Sequence, residues 1–512
     1  MTIELLSTLI VLQLAMGAFD TLYHHELTER LAWRANAATE FRLHAARNWL
    51  YALLFLLAAW SEPHGWPALA ILVVLAIELL ITLWDFVEED LSRRLPASER
   101  VTHTLLAVNY GAILAFIGPM LWSWSALPPA LHPASHGYLS LLLTAAALAV
   151  LAFGTRDWLA ARRAPRLRPP PAAPLVAALG REPRTVLVTG ATGFIGTRLV
   201  EALASAGYEV VALVRDRDRA TALRAPITLV TSLDQIPASK RLDAIVSLAG
   251  SPVADGPWTR RIRHRILRSR LKTTRGIERL VDRLEHKPAV LVAASAIGFY
   301  GEGGDDQLTE ADRPTGAAAK GFAHRTCAAI EAAASRVASR GVRVVALRIG
   351  LVLDHSGGFL ARMLPAFDLG LGGRIGDGRQ WMSWIARDDL VRLIAHAIAH
   401  RDIEGALNAT APAPVRNRAF TAALGRALGR PAVLLVPALP MRLVLGDMGR
   451  EIVLASQRVL PAKALGTGFA FCHPTLESAL AAAVGRRAPL RAPAPPPVTP
   501  SARPAGLASA AE

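Results

Sequence analysis

Apolar residues follow two different rhythms along this 512-residue chain. Up to residue 155 they come in long runs, at about 3–19, 43–60, 67–87, 104–123 and 138–153. Crossing a bilayer takes roughly 20 apolar residues, with ~17 at the low end. The runs therefore predict five spanning helices, the first and last of them short for the task. Glu4 and the absence of a basic leader argue against a cleaved signal peptide. Beyond residue 184 the apolar positions fall instead in short β-branched runs separated by helical stretches: 186–189, 210–214, 227–230, 244–248, 290–294 and 344–348. Such alternation predicts a doubly wound parallel sheet. The fold class read from the pattern is thus an α/β Rossmann domain preceded by an all-α five-helix transmembrane bundle, residues 1–155. Residues 156–184, rich in Arg and Pro, read as a semi-rigid spacer. Residues 487–512, with Pro493-Ala-Pro-Pro-Pro497, read as a disordered tail.

Charge sharpens the division. Residues 1–155 hold 7 Lys/Arg and 12 Asp/Glu, a net of −5, so the rest must carry +21 for the chain to total +16. Arg30, Arg34 and Arg42 follow the first run, Arg93, Arg94 and Arg100 the third, and Arg156, Arg162 and Arg163 the fifth. The loops 61–66 and 124–137 contain no Lys or Arg. The positive-inside rule then puts the N-terminus outside and the soluble half on the cytoplasmic face of the cell membrane. Two cysteines without ligand spacing, Cys327 and Cys472, predict neither a disulfide framework nor a zinc site.

The stretch Thr185-Val-Leu-Val-Thr-Gly190-Ala-Thr192-Gly193-Phe194-Ile195-Gly196 reads as strand, glycine turn and helix start. Gly190 permits the tight turn, Gly193 a close backbone approach to a pyrophosphate, and Gly196 close helix–strand packing. The helix N-terminus supplies free N–H groups to the phosphates. The second strand ends at Arg215, where an acidic side chain would select NAD; an Arg favours NADP. NADP(H) is therefore the expected cofactor, with NAD as the alternative because Asp216 and Asp218 lie nearby.

Further motifs carry a resemblance. They are Leu248-Ala249-Gly250-Ser-Pro-Val-Ala-Asp255 with Trp258, Ser295-Ala-Ile-Gly-Phe-Tyr300-Gly301, Leu369-Gly-Leu-Gly-Gly373, Gly376-Asp-Gly-Arg-Gln-Trp381 with Trp384 and Asp388-Asp389, and Asn408 with Pro412. From about 185 to 480 the chain resembles the atypical short-chain dehydrogenase/reductases of the NAD-dependent epimerase/dehydratase type. The resemblance implies an NADP-binding domain over 185–424, with Leu248, Ala249 and Gly250 beside the cofactor, and a small C-terminal module over 425–486. It also implies a serine at Ser295. Counting back from Glu331, however, Ala323 stands where the family's Tyr belongs and Cys327 where its Lys belongs. Tyr300 is a substitute proton donor on this reading, although its motif position is ordinarily structural. Trp381 and Trp384 are expected over the cleft. The basic run from Arg260 to Arg275 reads as a solvated helix face or one near an anionic leaflet; without interleaved aromatics it does not indicate nucleic acid.

Ionisable residues collect at the cytoplasmic end of the bundle. Asp20 and His24 lie i,i+4, with His25 and Glu26 adjoining; His44 and Arg47 open the second helix. Glu78, Asp85 and Glu89 form one stripe of the third, and Glu99 and His103 open the fourth. Interface charges are the ordinary explanation, but Glu78 lies mid-span, where an acid needs a partner or a function. A metal or haem site inside the bundle is the alternative, and no residue is assigned as a ligand. Three functions follow: a membrane-tethered NADP(H)-dependent reductase or epimerase-like enzyme acting on a small or lipidic substrate; a catalytically inactive NADP(H) sensor for its membrane half; or a dinucleotide partner for a metal or haem site.

Overall fold

The computed structural model describes residues 2–180, 184–217, 220, 223, 227–254 and 256–486. The C-terminal tail, Asp218 and Asp255 lie outside them. Five long helices build the N-terminal half: α1 (Thr2–Phe19), α2 (Ala38–Trp60), α3 (Trp66–Ser92), α4 (Ala97–Ser125) and α5 (Tyr138–Arg163). Of these, the stretches containing α1, α3, α4 and α5 are long and apolar enough to cross a membrane. α2 departs from the five-span expectation because Glu40, Arg42, His44 and Arg47 occupy its first half. The bundle is apolar outside and polar inside. On α3, Leu80 and Trp84 are 67% and 59% exposed, while Glu78 and Asp85 are 0% and 1% exposed. This is the arrangement expected of helices whose outer surface meets lipid. α1 runs on into a π-helical turn, Asp20–Thr28, whose wider winding turns Asp20, His24, His25 and Glu26 all into the interior.

In the second half a seven-stranded parallel sheet comprises β1 (Thr185–Thr189), β2 (Glu209–Leu213), β3 (Ile227–Val230), β4 (Ala244–Ser247), β5 (Val290–Ala296), β6 (Arg343–Ile349) and β7 (Gly405–Ala409). The order is β3-β2-β1-β4-β5-β6-β7. Alternation along each strand feeds two apolar layers. Val186 and Val188 of β1 pack with Leu199 and Leu203 of α6 (Phe194–Ser205) and with Leu390 and Ile394 of α10 (Arg387–Ala399). Leu187 faces the other way, onto Ile277 and Leu280 of α7 (Arg260–Arg283) and Ala334 of α8 (Phe322–Ser335).

The segment expected to be a spacer is packed instead. Leu167, Ala172, Val176 and Leu179 are buried, and the Pro170 carbonyl accepts from Arg198 Nη2 at 2.8 Å. Its Arg/Pro composition suggested a free linker, but its apolar positions seat it on α6 and α10. A shared apolar cluster joins Leu31, Trp33, Phe41 and Ala160 of the bundle to Leu360, Leu364 and Phe367 of α9 (Gly358–Asp368). At its edge Arg156 meets Glu26 at 2.5 and 2.7 Å and Asp368 at 3.3 Å. Arg163 reaches the same Asp368 at 3.2 Å and lies over the Trp33 ring at 3.7 Å. A cleft of about 630 Å³ beside this contact is edged by Arg30, Arg34, Arg198 and Arg387.

Burial pushes the Asp368 carboxyl up, but Arg163 and Arg156 outweigh it and hold the group below its usual range. Its stabilising contribution is therefore complete at neutral pH and fades as the pH falls below about 4. Asp368→Ala takes the carboxylate partner from Arg163 and leaves Arg156 with Glu26, and losing one partner of a buried pair costs up to about 3–5 kcal/mol. We expect this variant of the full chain to melt lower and to be cleaved faster by protease between residues 163 and 185. Unchanged melting and cleavage would contradict the contact.

Candidate cofactor and active site

The chain leaves β1 toward β2 on one side and enters β4 on the other, so the loops that follow these strands diverge and open a crevice. Both edges of that crevice are formed by backbone. After β1, Gly190 takes a φ of +73°, and its carbonyl accepts from the Gly193 amide at 2.9 Å. A Cβ on Gly196 would sit 2.1 Å from that carbonyl oxygen, and one on Gly190 would sit 2.8 Å from the Ala249 nitrogen. Neither position tolerates a side chain. Thr192 and Gly193 are exposed at the turn, as is Gly250 after β4. Phe194, Ile195 and Gly196 begin α6, so their amides have no partner within the helix. Thr189 ties the two loops together: its carbonyl accepts from Leu248 N at 3.1 Å and its hydroxyl from Ala249 N at 3.3 Å. These residues fit a dinucleotide, with a cradle that any Cβ would fill and amide donors at a helix start. Arg215 stands exposed just past β2, beside the same edge.

Deeper in the sheet, Ser295 of β5, Arg348 of β6 and Asn408 of β7 are in register as neighbours. The Ser295 hydroxyl donates to Glu331 of α8 at 2.7 Å. Arg348 meets both oxygens of that carboxylate at 3.0 and 2.9 Å and covers the Phe299 ring at 3.5 Å. Burial works against the Arg348 charge, but Glu331 outweighs it and holds the guanidinium above its usual range. Tyr300 is 3% exposed. Its hydroxyl accepts from Arg348 at 2.9 Å and faces Asn408 Oδ1 and the Thr309 carbonyl, each at 2.8 Å. That oxygen belongs to the frame of the site, and burial pushes its pKa up.

Along α8, Ala323, Cys327 and Glu331 recur at four-residue spacing. The Cys327 thiol is buried, which pushes its pKa up despite hydrogen bonding from Ser295. It is thus a neutral thiol rather than a nucleophile. The C-terminal segment closes this end. Glu451 accepts from the Ala323 and Phe322 amides at 2.7 and 3.1 Å, Met448 packs with Trp258 and Phe322, and Asp447 pairs with Arg263. Sequence reading passed over Glu451 and Arg348, and it took Arg270 only as part of the basic helix face. A lone charge in the apolar strand Val344-Val-Ala-Leu-Arg348 was the available signal for the second. The guanidinium of Arg270 lies against Gly250 and donates to the Ser251 carbonyl at 2.9 Å. The rest of the basic helix is largely exposed at Arg260, Arg261, Arg265 and Arg268.

Packing holds both tryptophans that the sequence places over the cleft. Trp384 is fully buried, its indole N–H donating to the Ala413 carbonyl at 3.0 Å. Trp381 is held between Arg416 and Arg458 and donates to Asp305. Each is fixed by packing, which leaves neither free to close on a substrate.

The comparisons agree with this geometry. The NAD dependent epimerase/dehydratase family matches residues 186–409, and a domain of unknown function (DUF1731) matches 436–483. Epimerase family protein Mb2239 of Mycobacterium bovis is 37% identical over 309 residues, covering 59% of this chain and 98% of the relative. The chloroplastic SDR39U1 homolog of Arabidopsis thaliana is 37% identical over 305 residues, covering 58% and 86%. The crystal structure of human epimerase family protein SDR39U1 (isoform 2) with NADPH superposes with a TM-score of 0.53 at 31% identity, over 59% of this chain and 99% of that one. A Rossmann sheet with its glycine turn, a serine on β5 and relatives matched over nearly their whole length lead to one assignment: the chain belongs to the NAD-dependent epimerase/dehydratase family of atypical short-chain dehydrogenase/reductases.

Proposed function

We propose that the protein is a membrane-anchored NADP(H)-dependent reductase that acts on a small or lipidic substrate at the cytoplasmic face. The observation that carries the reading is the crevice between β1 and β4, with its glycine cradle and the exposed Arg215 at its rim. Arg215 would pair with a 2′-phosphate, and the amides of Phe194, Ile195 and Gly196 would hold the pyrophosphate. The NADPH held by the human relative supports the same choice. When bound, the nicotinamide supplies or accepts a hydride.

The hydride step also needs a route for one proton, whichever way it runs. Oxidising an alcohol requires a base for its hydroxyl proton, the task of the Tyr–Lys pair replaced here by Ala323 and Cys327. Reducing a carbonyl requires a donor toward the oxygen where negative charge grows. Ser295 would serve as that donor when its hydroxyl turns from Glu331, which Arg348 fixes in turn, toward the substrate oxygen, with solvent returning the proton. The alternative is a sensor that binds NADP(H) without turnover, favoured by that same loss of Tyr and Lys. Apolar outer faces on four helices support the membrane anchor, and the Arg asymmetry of the loops supports its orientation.

Three outcomes test these readings. The full chain should bind NADPH more tightly than NADH, and Arg215→Ala should remove most of the difference. A charge-assisted contact contributes about 1.5–3 kcal/mol, so titration should read a loss of roughly 10- to 150-fold; equal affinity in the unmutated chain would overturn the NADP assignment. In a screen of carbonyl metabolites, substrate-dependent NADPH consumption should appear, and Ser295→Ala should lower turnover by about 10²–10³ with NADPH affinity unchanged. Intact binding without consumption across the panel would favour the sensor. A reporter inserted at Pro133 should face outside and one fused to the C-terminus should face the cytoplasm; a cytoplasmic signal at Pro133 would reject the topology.

A further inference from the structure

The interior of the bundle holds eight buried carboxylates among the described residues, none more than 6% exposed: Glu26 and Asp157 sit beside Arg156, and Asp20, Glu40, Glu78, Asp85, Glu89 and Glu99 form a separate group. Two guanidinium groups reach into that group of six. Arg93 meets Glu99 at 2.8 and 2.9 Å and Glu40 at 3.0 Å; Arg47 meets Asp85 at 2.6 Å and Glu78 at 3.5 Å. Six negative charges against two positive ones leave four to be met by His24, His25, His44 and His103 or by something else. The histidines cannot all supply charge without conflict. The His25 and His44 rings stack face to face, 4.9 Å between centroids and 3° between planes, and two imidazolium ions so placed repel each other. A neutral ring in this pair has a nitrogen lone pair to offer.

The unpartnered atoms face one another. His25 Nε2 has no hydrogen-bond partner, although oxygens of Asp20 and Glu99 lie 3.4 and 3.6 Å away. Glu89, 1% exposed, has an Oε2 without a hydrogen bond, facing His103 Nδ1 at 3.3 Å. Ligand atoms of His25, Glu89, Glu99 and His103 all lie within 4.8 Å of one another, and Glu89 also groups with Glu40 and His44. His25, His44, Glu89 and His103 line a cavity of about 60 Å³. The outer partners are in place too. Asp20 Oδ2 holds His103 Nε2 at 3.2 Å, which leaves Nδ1 for a ligand bond, and Arg93 braces the carboxylates behind. Metal-bound histidines and carboxylates are oriented by just such outer hydrogen bonds. Phe86, stacked on His103 at 5.5 Å, and Phe41, edge-on to His44, exclude water on the flanks.

We propose that His25, Glu89, Glu99 and His103 bind a divalent first-row transition-metal ion inside the bundle. Glu40 and His44 extend the site toward α2 through the shared Glu89, which provides room for a second ion. Imidazole and carboxylate together suit Mn²⁺, Fe²⁺ or Zn²⁺, whereas Ca²⁺ and Mg²⁺ favour oxygen alone. Helical bundles build such centres from Glu and His projecting inward from facing helices. Here the donors come from the π-helical turn, α2, α3 and α4.

The test uses the full chain in detergent, purified from cells grown with added manganese, iron and zinc. Elemental analysis should find about one to two equivalents per chain. After chelation, Co²⁺ titration should restore saturable visible absorption. Glu89→Gln and His103→Gln should each weaken Co²⁺ binding by roughly 10- to 100-fold or more, while Asp90→Asn, on the exposed side of α3, should leave it unchanged. Retained NADPH binding and an unchanged elution profile show that a variant is folded. Should either variant fail to fold, the unmutated chain decides alone. Neither co-purified metal nor a saturable Co²⁺ signal in that chain would overturn the proposal, as would equal Co²⁺ binding by the chain and both folded variants.

Discussion

A charge removed from water must meet another charge or a fixed set of dipoles, since isolated burial of an ion is far too costly to survive folding. That constraint shapes both ends of this protein's helical half. Within the bundle it draws Arg47, Arg93 and four histidines around six carboxylates, so α2, α3, α4 and the π-helical turn are held by polar contacts while their apolar faces point outward. At the junction with the soluble half it places Arg156 between Glu26 and Asp368. The guanidinium has one partner on each part, so undocking would separate Arg156 from Asp368. Apolar packing of Trp33 and Phe41 against α9 adds the non-directional share of the same contact.

The soluble half answers a different requirement. Its crevice depends on backbone passing closer to backbone than any side chain permits, which is why Gly190 and Gly196 stand where they do. Behind the crevice the in-register row Ser295, Arg348 and Asn408, with Tyr300 and Glu331, forms a satisfied polar network inside the sheet. Such a network fixes geometry because each member would be expensive to leave unpaired. It keeps the Ser295 hydroxyl in place although the family's Tyr and Lys are gone from α8.

What could be read from sequence divides along physical lines. The glycine turn and six strands were legible because they depend on neighbours in sequence and on short continuous β-branched runs. The seventh strand was not: Gly405-Ala-Leu-Asn-Ala409 carries turn-prone residues, and only the pairing of Asn408 with Tyr300 and the Leu460 carbonyl makes it tolerable inside a sheet. The segment 164–180 looked like a spacer because its few apolar residues find their partners on α6 and α10, far along the chain. Trp384 carried no local sign of its burial. In the bundle, i,i+4 spacing exposed Asp20 with His24 and Glu99 with His103, yet Glu40 escaped notice and Arg93 read only as a loop charge. Their roles exist only across helices, where Arg93 clasps Glu40 and Glu99 together.

The proposed function needs one chain that holds NADP(H) in a Rossmann crevice packed on the end of a helical bundle. An electron cryomicroscopy map of the full chain in detergent, prepared with saturating NADPH, tests this most directly. The account predicts dinucleotide density over the start of α6, a 2′-phosphate at Arg215, and α9 seated on the bundle through Asp368 and Arg156. A soluble half detached from the bundle, or a crevice without nucleotide at saturation, would contradict it.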